Sequence, residues 1–188
     1  MKERIEMCLS GSGGQGLILA GIILAEAAGI YDGKEAVLTQ SYGPEARGGA
    51  SRSEVIVSNN TIDYPKVIKS DILLTLTQTA CDKYAKNLNK DGILVADSTL
   101  VTEVPTISNK IYLFPIAETA QEKFATKLVT NIISLGIIVG LTAVVSQEAI
   151  QKAVRSKVPV KAKEVNEKAL LLGLSIAKDL KAKKQGSN

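Results

Sequence analysis

A glycine-rich segment near the amino terminus holds the first residues whose types and spacing could do chemistry. Gly11, Gly13 and Gly16 satisfy the pattern GxGxxG, between an apolar run at 5–9 and an apolar segment at 17–30. An extended run, glycines and a helix-period segment together predict a strand, a tight loop and a helix. The first amides of a helix lack partners within it and carry partial positive charge, so a phosphate, a carboxylate or a carbonyl is their natural ligand. We predict that this segment faces a ligand or a partner.

A second segment combines glycine with charge. It covers residues 43–49, with Glu45 and Arg47 before Gly48 and Gly49, and Arg52 enters the predicted strand that follows. Parallel strands joined by a right-handed crossover would place both glycine-rich segments at one end of the sheet. Charges held there suit recognition of an anionic ligand or docking to a partner, and a solvated surface loop is the alternative.

The residue types limit the chemistry that this chain can perform alone. The sequence contains no histidine, which excludes Ser–His and Cys–His pairs and histidine metal sites. Cys8 and Cys81 lack paired spacing, which argues against a disulfide, a zinc site or an iron–sulfur cluster. Asp97 ends a predicted buried strand, where a carboxylate of a turn or helix cap is favoured over a catalytic one. We predict no catalytic residue and no metal site.

The glycine pattern by itself also fits a dinucleotide site or a structural turn. A dinucleotide-binding fold needs an acidic side chain at the end of its second strand to hold the ribose hydroxyls. Here Asp32 and Glu35 precede the predicted strand at 36–42, at its wrong end. A stand-alone dinucleotide-binding oxidoreductase is therefore an alternative, and so is a tight turn that binds nothing.

Strands alternating with helices must position these segments. Apolar runs predict strands at residues 5–9, 36–42, 51–58, 71–76, 93–96 and 111–114, and a hairpin turn predicts that residues 61–63 pair back. A helix is predicted after residues 77–79 through Leu88, followed by a turn at 89–92. The last predicted helix has an apolar face formed by Val165, Ala169, Leu172, Ile176 and Leu180. The spacing of these strands and helices predicts a three-layer α/β fold, with helices flanking a mixed, mostly parallel sheet and a helical C-terminal third from Ala117. We assign residues 1–184 to one domain and 185–188 to a disordered tail.

Charge and hydropathy bear on partners and compartment. The net charge is +4, and its excess lies largely in a Lys-rich C-terminus typical of a solvated helix end, so we expect no nucleic-acid binding. The N-terminus lacks the pattern of a signal peptide, which predicts a cytoplasmic protein. Residues 128–145 are uncharged, but polar interruptions favour a buried helix over a membrane span. Gly136 and Gly140 would let another backbone approach that helix closely.

Two motifs together carry a resemblance to a known family. The segments GSGGQG at residues 11–16 and QSYGPEARGG at residues 40–49 resemble those of the gamma subunits of 2-oxoacid:ferredoxin oxidoreductases. The similarity continues through residues 53–55, the strand that starts at Asp71, Asp97 and the helix that contains Asn131, so it covers nearly the whole chain. Two motifs at the right separation are more specific than one glycine loop.

The resemblance implies a role in the oxidative decarboxylation of a 2-oxoacid, with the acyl group transferred to coenzyme A and electrons passed to ferredoxin. A chain of this length is similar to the separate gamma subunit of 2-oxoglutarate enzymes. In that family thiamine diphosphate, magnesium and the iron–sulfur cluster are held by other subunits. The implied partners are alpha, beta and delta subunits and, indirectly, ferredoxin; the isolated chain would be inactive and could form a homodimer.

The resemblance also implies which residues could contact coenzyme A or the catalytic subunits. The glycine-segment amides and Arg47 or Arg52 are the phosphate contacts that it suggests. The full set is Gly11, Ser12, Gly13, Gly14, Gln15, Gly16, Tyr42, Glu45, Arg47, Gly48, Gly49 and Arg52. A scaffold subunit that binds no ligand is the alternative within the same family.

Overall fold

Strands and helices alternate along the chain and then give way to helices, as the sequence predicts. A computed structural model describes residues 2–41, 50–108 and 110–185. The strands are β1 (Arg4–Ser12), β2 (Glu35–Ser41), β3 (Ala50–Ser58), β4 (Ser70–Thr75), β5 (Leu88–Asp97) and β6 (Lys110–Phe114). The helices are α1 (Leu17–Glu26), α2 (Gln78–Tyr84), α3 (Ile116–Phe124), α4 (Thr130–Thr142), α5 (Gln147–Lys157) and α6 (Lys163–Gln185). A π-helical turn, Ala27–Tyr31, continues α1.

Within these described ranges the strands form one mixed sheet in the order β2-β3-β1-β4-β5-β6. The β1, β4, β5 and β6 strands run parallel, whereas β3 lies antiparallel to both β1 and β2. The prediction that residues 61–63 pair back is wrong, because they form no strand. Both edges of β3 are already occupied by β1 and β2, so no backbone donors or acceptors are left for a returning segment.

Helices cover both faces of the sheet, which confirms the three-layer α/β prediction. Alternate residues of β1 show the division, since Met7 and Leu9 belong to a core shared with α1, α4, α5 and α6. Cys8, on the opposite face, packs in a smaller core with Ala80 and Cys81 of α2. The two faces follow from the period of two along a strand.

The boundaries of α2, β5 and α6 differ from the sequence prediction. The predicted helix through Leu88 ends at Tyr84, with a short 3-10 turn at Ala85–Asn87. Residues 89–92, predicted as a turn, lie inside β5, because Leu88 pairs with Ser70 and the register shifts before Ile93 pairs with Ile72. At the C-terminus α6 continues through Gln185, and residues 186–188 of the predicted tail lie outside the described residues.

The uncharged segment forms the buried helix that its polar interruptions predict. The α4 helix has 13 residues, and in the described part of the chain no helix is long and apolar enough to cross a membrane. Its glycines contact α6 closely, since a Cβ atom on Gly136 would lie 2.4 Å from the carbonyl oxygen of Leu170. A Cβ atom on Gly173 of α6 would lie 2.2 Å from the carbonyl oxygen of Ile133. The two backbones therefore touch where neither residue has a side chain.

Candidate functional site at the carboxyl edge of the sheet

The first glycine-rich segment connects β1 to α1 at the carboxyl edge of the sheet. Residues 10–12, predicted as loop, are the last residues of β1, because they pair with the start of β3 from Arg52 back to Ala50. The connection is therefore shorter than predicted and consists of residues 13–16, which we call the glycine loop. Crevices outside the carboxyl ends of parallel strands are common ligand sites in α/β proteins.

Glycine is required by the backbone of this loop. Gly14 and Gly16 have φ angles of 85° and 71°, in the left-handed region that other residues adopt at a cost. Gly16 is the residue before α1, and no side chain in the described ranges caps that helix. Gly13 and Gly14 are exposed, and among the described residues no atom outside their chain neighbours lies within 4 Å of a Cβ built on either. The loop thus presents bare main chain beside the uncapped amides of the first helical turn.

Two amide side chains hold the glycine loop in place. The Oε1 atom of Gln15 accepts a hydrogen bond from the backbone N–H of Ser12 at 2.7 Å. The Nδ2 atom of Asn131, at the start of α4, donates to the carbonyl oxygen of Gly16 at 3.0 Å. Asn131 also accepts a bond from the N–H of Ile132 at 2.9 Å and is only 2% exposed. The loop is therefore fixed from both sides.

Sequence reasoning did not place Asn131 at this site. The residue is separated by 115 positions from Gly16, and only the fold brings them together. The available signal was an amide near the start of an otherwise apolar, uncharged helix. A buried side chain of that type needs a hydrogen-bond partner, which the sequence cannot name.

Arg52 lies at the same end of the sheet but on the opposite face from α1. It pairs with Ser10 in the β1–β3 ladder, and its guanidinium lies 5.4 Å from the centre of the Tyr84 ring of α2. Its Nη1 atom forms an ion pair with Oε1 of Glu54 at 3.3 Å. An alanine at position 52 would leave the Glu54 carboxylate without this partner, so it would not test ligand binding alone.

The other predicted site residues lie outside the described residues. These are Tyr42, Glu45, Arg47, Gly48 and Gly49. The residues on either side are described: Ser41 pairs with Arg52, and Ala50 pairs with Ser12 at the end of β1. The chain thus leaves and re-enters the sheet at the edge where the glycine loop lies. The roles of these residues stay predictions.

Asp97 is the turn and cap carboxylate that the sequence analysis favours. It is fully buried, and its Oδ1 atom accepts from the N–H of Thr99 at 2.9 Å and from the hydroxyl of Thr99 at 2.6 Å. Its Oδ2 atom accepts from the N–H of Ala117 in the first turn of α3 at 2.7 Å. The carboxylate thereby ties the end of β5 to α3.

Both cysteines are buried free thiols on the α2 face of the sheet. Burial, with a smaller effect from Glu54, raises the pKa of the Cys8 thiol to about 12. Burial also raises the pKa of Cys81, partly opposed by the neighbouring Thr75 side chain. Over the described ranges, no group of three or more Asp, Glu, His or Cys side chains could hold a metal ion.

We expect neither thiol to react with iodoacetamide in the folded protein at about pH 8, because a pKa near 12 leaves about one Cys8 thiolate in ten thousand. Mass spectrometry should show unmodified native protein and two added groups after denaturation in guanidinium chloride. Rapid labelling of the native chain would contradict the buried placement of these side chains.

The sheet order argues against a dinucleotide site at the glycine loop. In the dinucleotide-binding fold the first and second strands are parallel neighbours, with the ligand in the crevice beside them. Here β3 separates β1 from β2, and Gln40 and Ser41 rather than an acidic residue end β2. A strand end that could hold the ribose is therefore absent from the described part of that crevice.

The chain that carries this glycine loop and the inserted β3 strand belongs to a known protein family. The chain matches the family described as pyruvate ferredoxin/flavodoxin oxidoreductase over residues 6–176, and it belongs to that family. This confirms the resemblance to subunits of 2-oxoacid:ferredoxin oxidoreductases.

Individual members of this family are similar to the chain over nearly its full length. The chain is 48% identical over 182 residues to the 2-oxoglutarate synthase subunit KorC of Methanocaldococcus jannaschii, a match covering 96% of this chain and 97% of the relative. Among solved structures, the gamma subunit of the keto/oxoacid ferredoxin oxidoreductase of Geobacter sulfurreducens is 51% identical, with a TM-score of 0.85 and coverage of 93% of this chain and 99% of that one. The pyruvate oxidoreductase subunit PORC of Thermotoga maritima is 25% identical, with a TM-score of 0.76 and coverage of 93% and 97%.

Proposed function

We propose that this chain is the gamma subunit of a cytoplasmic 2-oxoglutarate:ferredoxin oxidoreductase. Such an enzyme oxidatively decarboxylates its 2-oxoacid, transfers the acyl group to coenzyme A and passes two electrons to ferredoxin. The KorC similarity over nearly the full length of both chains supports 2-oxoglutarate as the substrate. The gamma subunit would support the reaction without supplying a catalytic residue.

The cofactors of such an enzyme would reside on the alpha, beta and delta subunits. Cys8 and Cys81 are buried and cannot ligate an exposed cluster, and the described acidic side chains form no metal-binding group. The two cysteines therefore do not fit an iron–sulfur cluster, and the described acidic residues do not fit a thiamine-bound magnesium ion. The acyl chemistry and the electron transfer to ferredoxin would take place on partner subunits.

The glycine loop is where this subunit would contact coenzyme A. The observation that carries this proposal is the uncapped N-terminus of α1 beside the exposed main chain of Gly13 and Gly14. Coenzyme A carries phosphates, and backbone N–H groups at a helix N-terminus bind phosphate without a charged side chain. Glycine at these positions lets an anion approach the amides directly.

We expect Gly13→Asp to raise the KM for coenzyme A about tenfold in the assembled enzyme, since a carboxylate would repel a phosphate at close range. Gly13→Asn is the matched control, because it adds a side chain of the same size without charge. In the described part of the chain no atom lies within 4 Å of a Cβ built on Gly13, and its φ angle is not left-handed, so we expect both variants to fold like the native chain. Steady-state kinetics of the reconstituted complex at low and high salt measure the difference, which should shrink as salt screens the charge.

Equal KM values in the two variants would overturn the phosphate assignment. If the aspartate variant fails to co-purify with the catalytic subunits while coenzyme A kinetics stay unchanged in any complex that forms, the chain acts as a scaffold. Native mass spectrometry of the complex distinguishes these results and also shows whether the isolated chain forms a homodimer.

A further inference from the structure

We propose that Asn131 is a positioning residue for the glycine loop. Its side-chain amide holds the Gly16 carbonyl and thereby fixes the direction of the first-turn amides of α1. The identity of the ligand that the positioned amides bind rests on the proposed function, but the positioning of the loop does not. Asn131 touches no reacting group and acts through Gly16.

The contact between Asn131 and Gly16 is close on both sides. A Cβ atom built on Gly16 would lie 2.5 Å from Nδ2 of Asn131 and 3.0 Å from its Cγ atom. Only glycine at position 16 leaves room for this amide, and glycine also adopts the left-handed φ angle of 71° found there without strain. The missing side chain of Gly16 is thus explained by the closeness of Asn131.

Asn131 itself is held by its own helix and by the core. Its Oδ1 atom accepts from the N–H of Ile132, so the Nδ2 group is turned toward Gly16. The α4 helix is in turn fixed against α6 through Gly136 and Gly173. The chain of contacts from the core to the loop is therefore rigid at each step.

The chain offers a matched control for this residue. Asn166 on α6 is also buried, at 8% exposure, and its Nδ2 atom donates to the carbonyl oxygen of Ala162 at 2.7 Å. It makes the same type of bond far along the chain from the glycine loop. Asn131→Ala and Asn166→Ala therefore both remove an amide–carbonyl hydrogen bond, but only the first removes a bond to Gly16, whose carbonyl then keeps only the helix bond from the Ala20 N–H.

Hydrogen exchange of the full chain tests the positioning. We expect amides of residues 13–19 to exchange at least about tenfold faster in Asn131→Ala than in Asn166→Ala, because a released loop opens locally. If Asn131→Ala does not fold, Asn131→Leu keeps the side-chain size and removes the donor without burying a charge. Equal exchange of these amides in the Asn131 variant and the Asn166 variant would overturn the proposal.

Kinetics of the assembled enzyme connect the positioning to the proposed function. We expect Asn131→Ala to raise the KM for coenzyme A about tenfold with kcat within about twofold, whereas Asn166→Ala leaves both unchanged. Faster loop exchange with an unchanged KM would support the positioning and count against the coenzyme A assignment. Unchanged exchange in Asn131→Ala, together with a raised KM in Gly13→Asp, would count against the positioning role of Asn131 and support the coenzyme A assignment.

Discussion

Replacing Gly173 with alanine should cost about 3 kcal/mol of unfolding free energy, one of the largest effects of any single methyl group in this chain. The new Cβ atom would lie 2.2 Å from the carbonyl oxygen of Ile133 and 2.9 Å from Cα of Gly136. Both are backbone atoms, so no side chain can rotate away and the α4 and α6 helices must separate. Urea unfolding followed by circular dichroism measures the loss.

Gly29→Ala provides the comparison for that variant. Gly29 lies in the π-helical turn after α1, and the nearest atoms to its added Cβ are 3.7 Å away, at ordinary contact distance. Alanine is favoured over glycine in helical backbone by up to about 1 kcal/mol, so this variant should be as stable as the native chain or slightly more stable. A Gly173 variant of native stability would mean that the two helices can move apart without loss of packing.

Replacing Asp97 with alanine should lower the unfolding free energy by about 3 to 4 kcal/mol, since each unpaired buried donor costs about 1 to 3 kcal/mol. The change removes the acceptor for the N–H groups of Thr99 and Ala117 and for the Thr99 hydroxyl. The Ala117 N–H is buried and the two Thr99 donors are partly buried, so water can replace the lost acceptor only in part. Asp97→Asn keeps one acceptor oxygen and should lose less.

Asp32→Ala is the matched variant for Asp97→Ala. Asp32 also accepts two short hydrogen bonds, from the N–H and the hydroxyl of Ser146 at 2.7 and 2.6 Å, but it lies at the surface. Water can replace a lost acceptor there, so we expect a cost of about 1 kcal/mol. Similar losses in the two variants, measured by the same urea unfolding, would contradict the importance of burial. Asp97 itself is fully buried, so a loss of activity larger than the loss of folded protein would instead indicate a catalytic role.

The approximate positions of the strands could be predicted, because each strand is an apolar run in the sequence and apolar side chains are buried in the folded sheet. Residues 111–114 and 71–76 were placed to within one residue, since both lie between polar or proline boundaries. The position of β3 in the sheet could not be predicted. Which strands pair depends on the whole folded sheet. The sequence of residues 51–58 does not indicate that another strand will pair with each edge of β3.

The buried face of α6 shows the same limit for helices. The apolar pattern predicted a stripe through Val165, Ala169, Leu172, Ile176 and Leu180. Ala169 and Ile176 are buried, but the closest contact with α4 is made at Gly173, and Val165, Leu172 and Leu180 are only partly buried. A periodic hydrophobic pattern identifies positions with large apolar side chains, whereas this contact depends on the absence of a side chain at Gly173.

The candidate site divides along a similar line. The glycine loop could be predicted from the sequence, because a tight turn between a strand and a helix needs glycine. The left-handed φ angles of Gly14 and Gly16 agree with that prediction. The partners that fix the loop were hidden for different reasons. Gln15 was read as part of the motif rather than as a bond to Ser12, and Asn131 is distant in sequence.

The placement of β3 also bears on how the nascent chain acquires its structure during translation. The segments that form β1 and β2 share no hydrogen bonds in the folded sheet, because β3 lies between them. Residues 35–41 pair with β3 in the described sheet, so they can join it only after residues 50–58 have been synthesised. Early folding of this polypeptide therefore depends on the third strand.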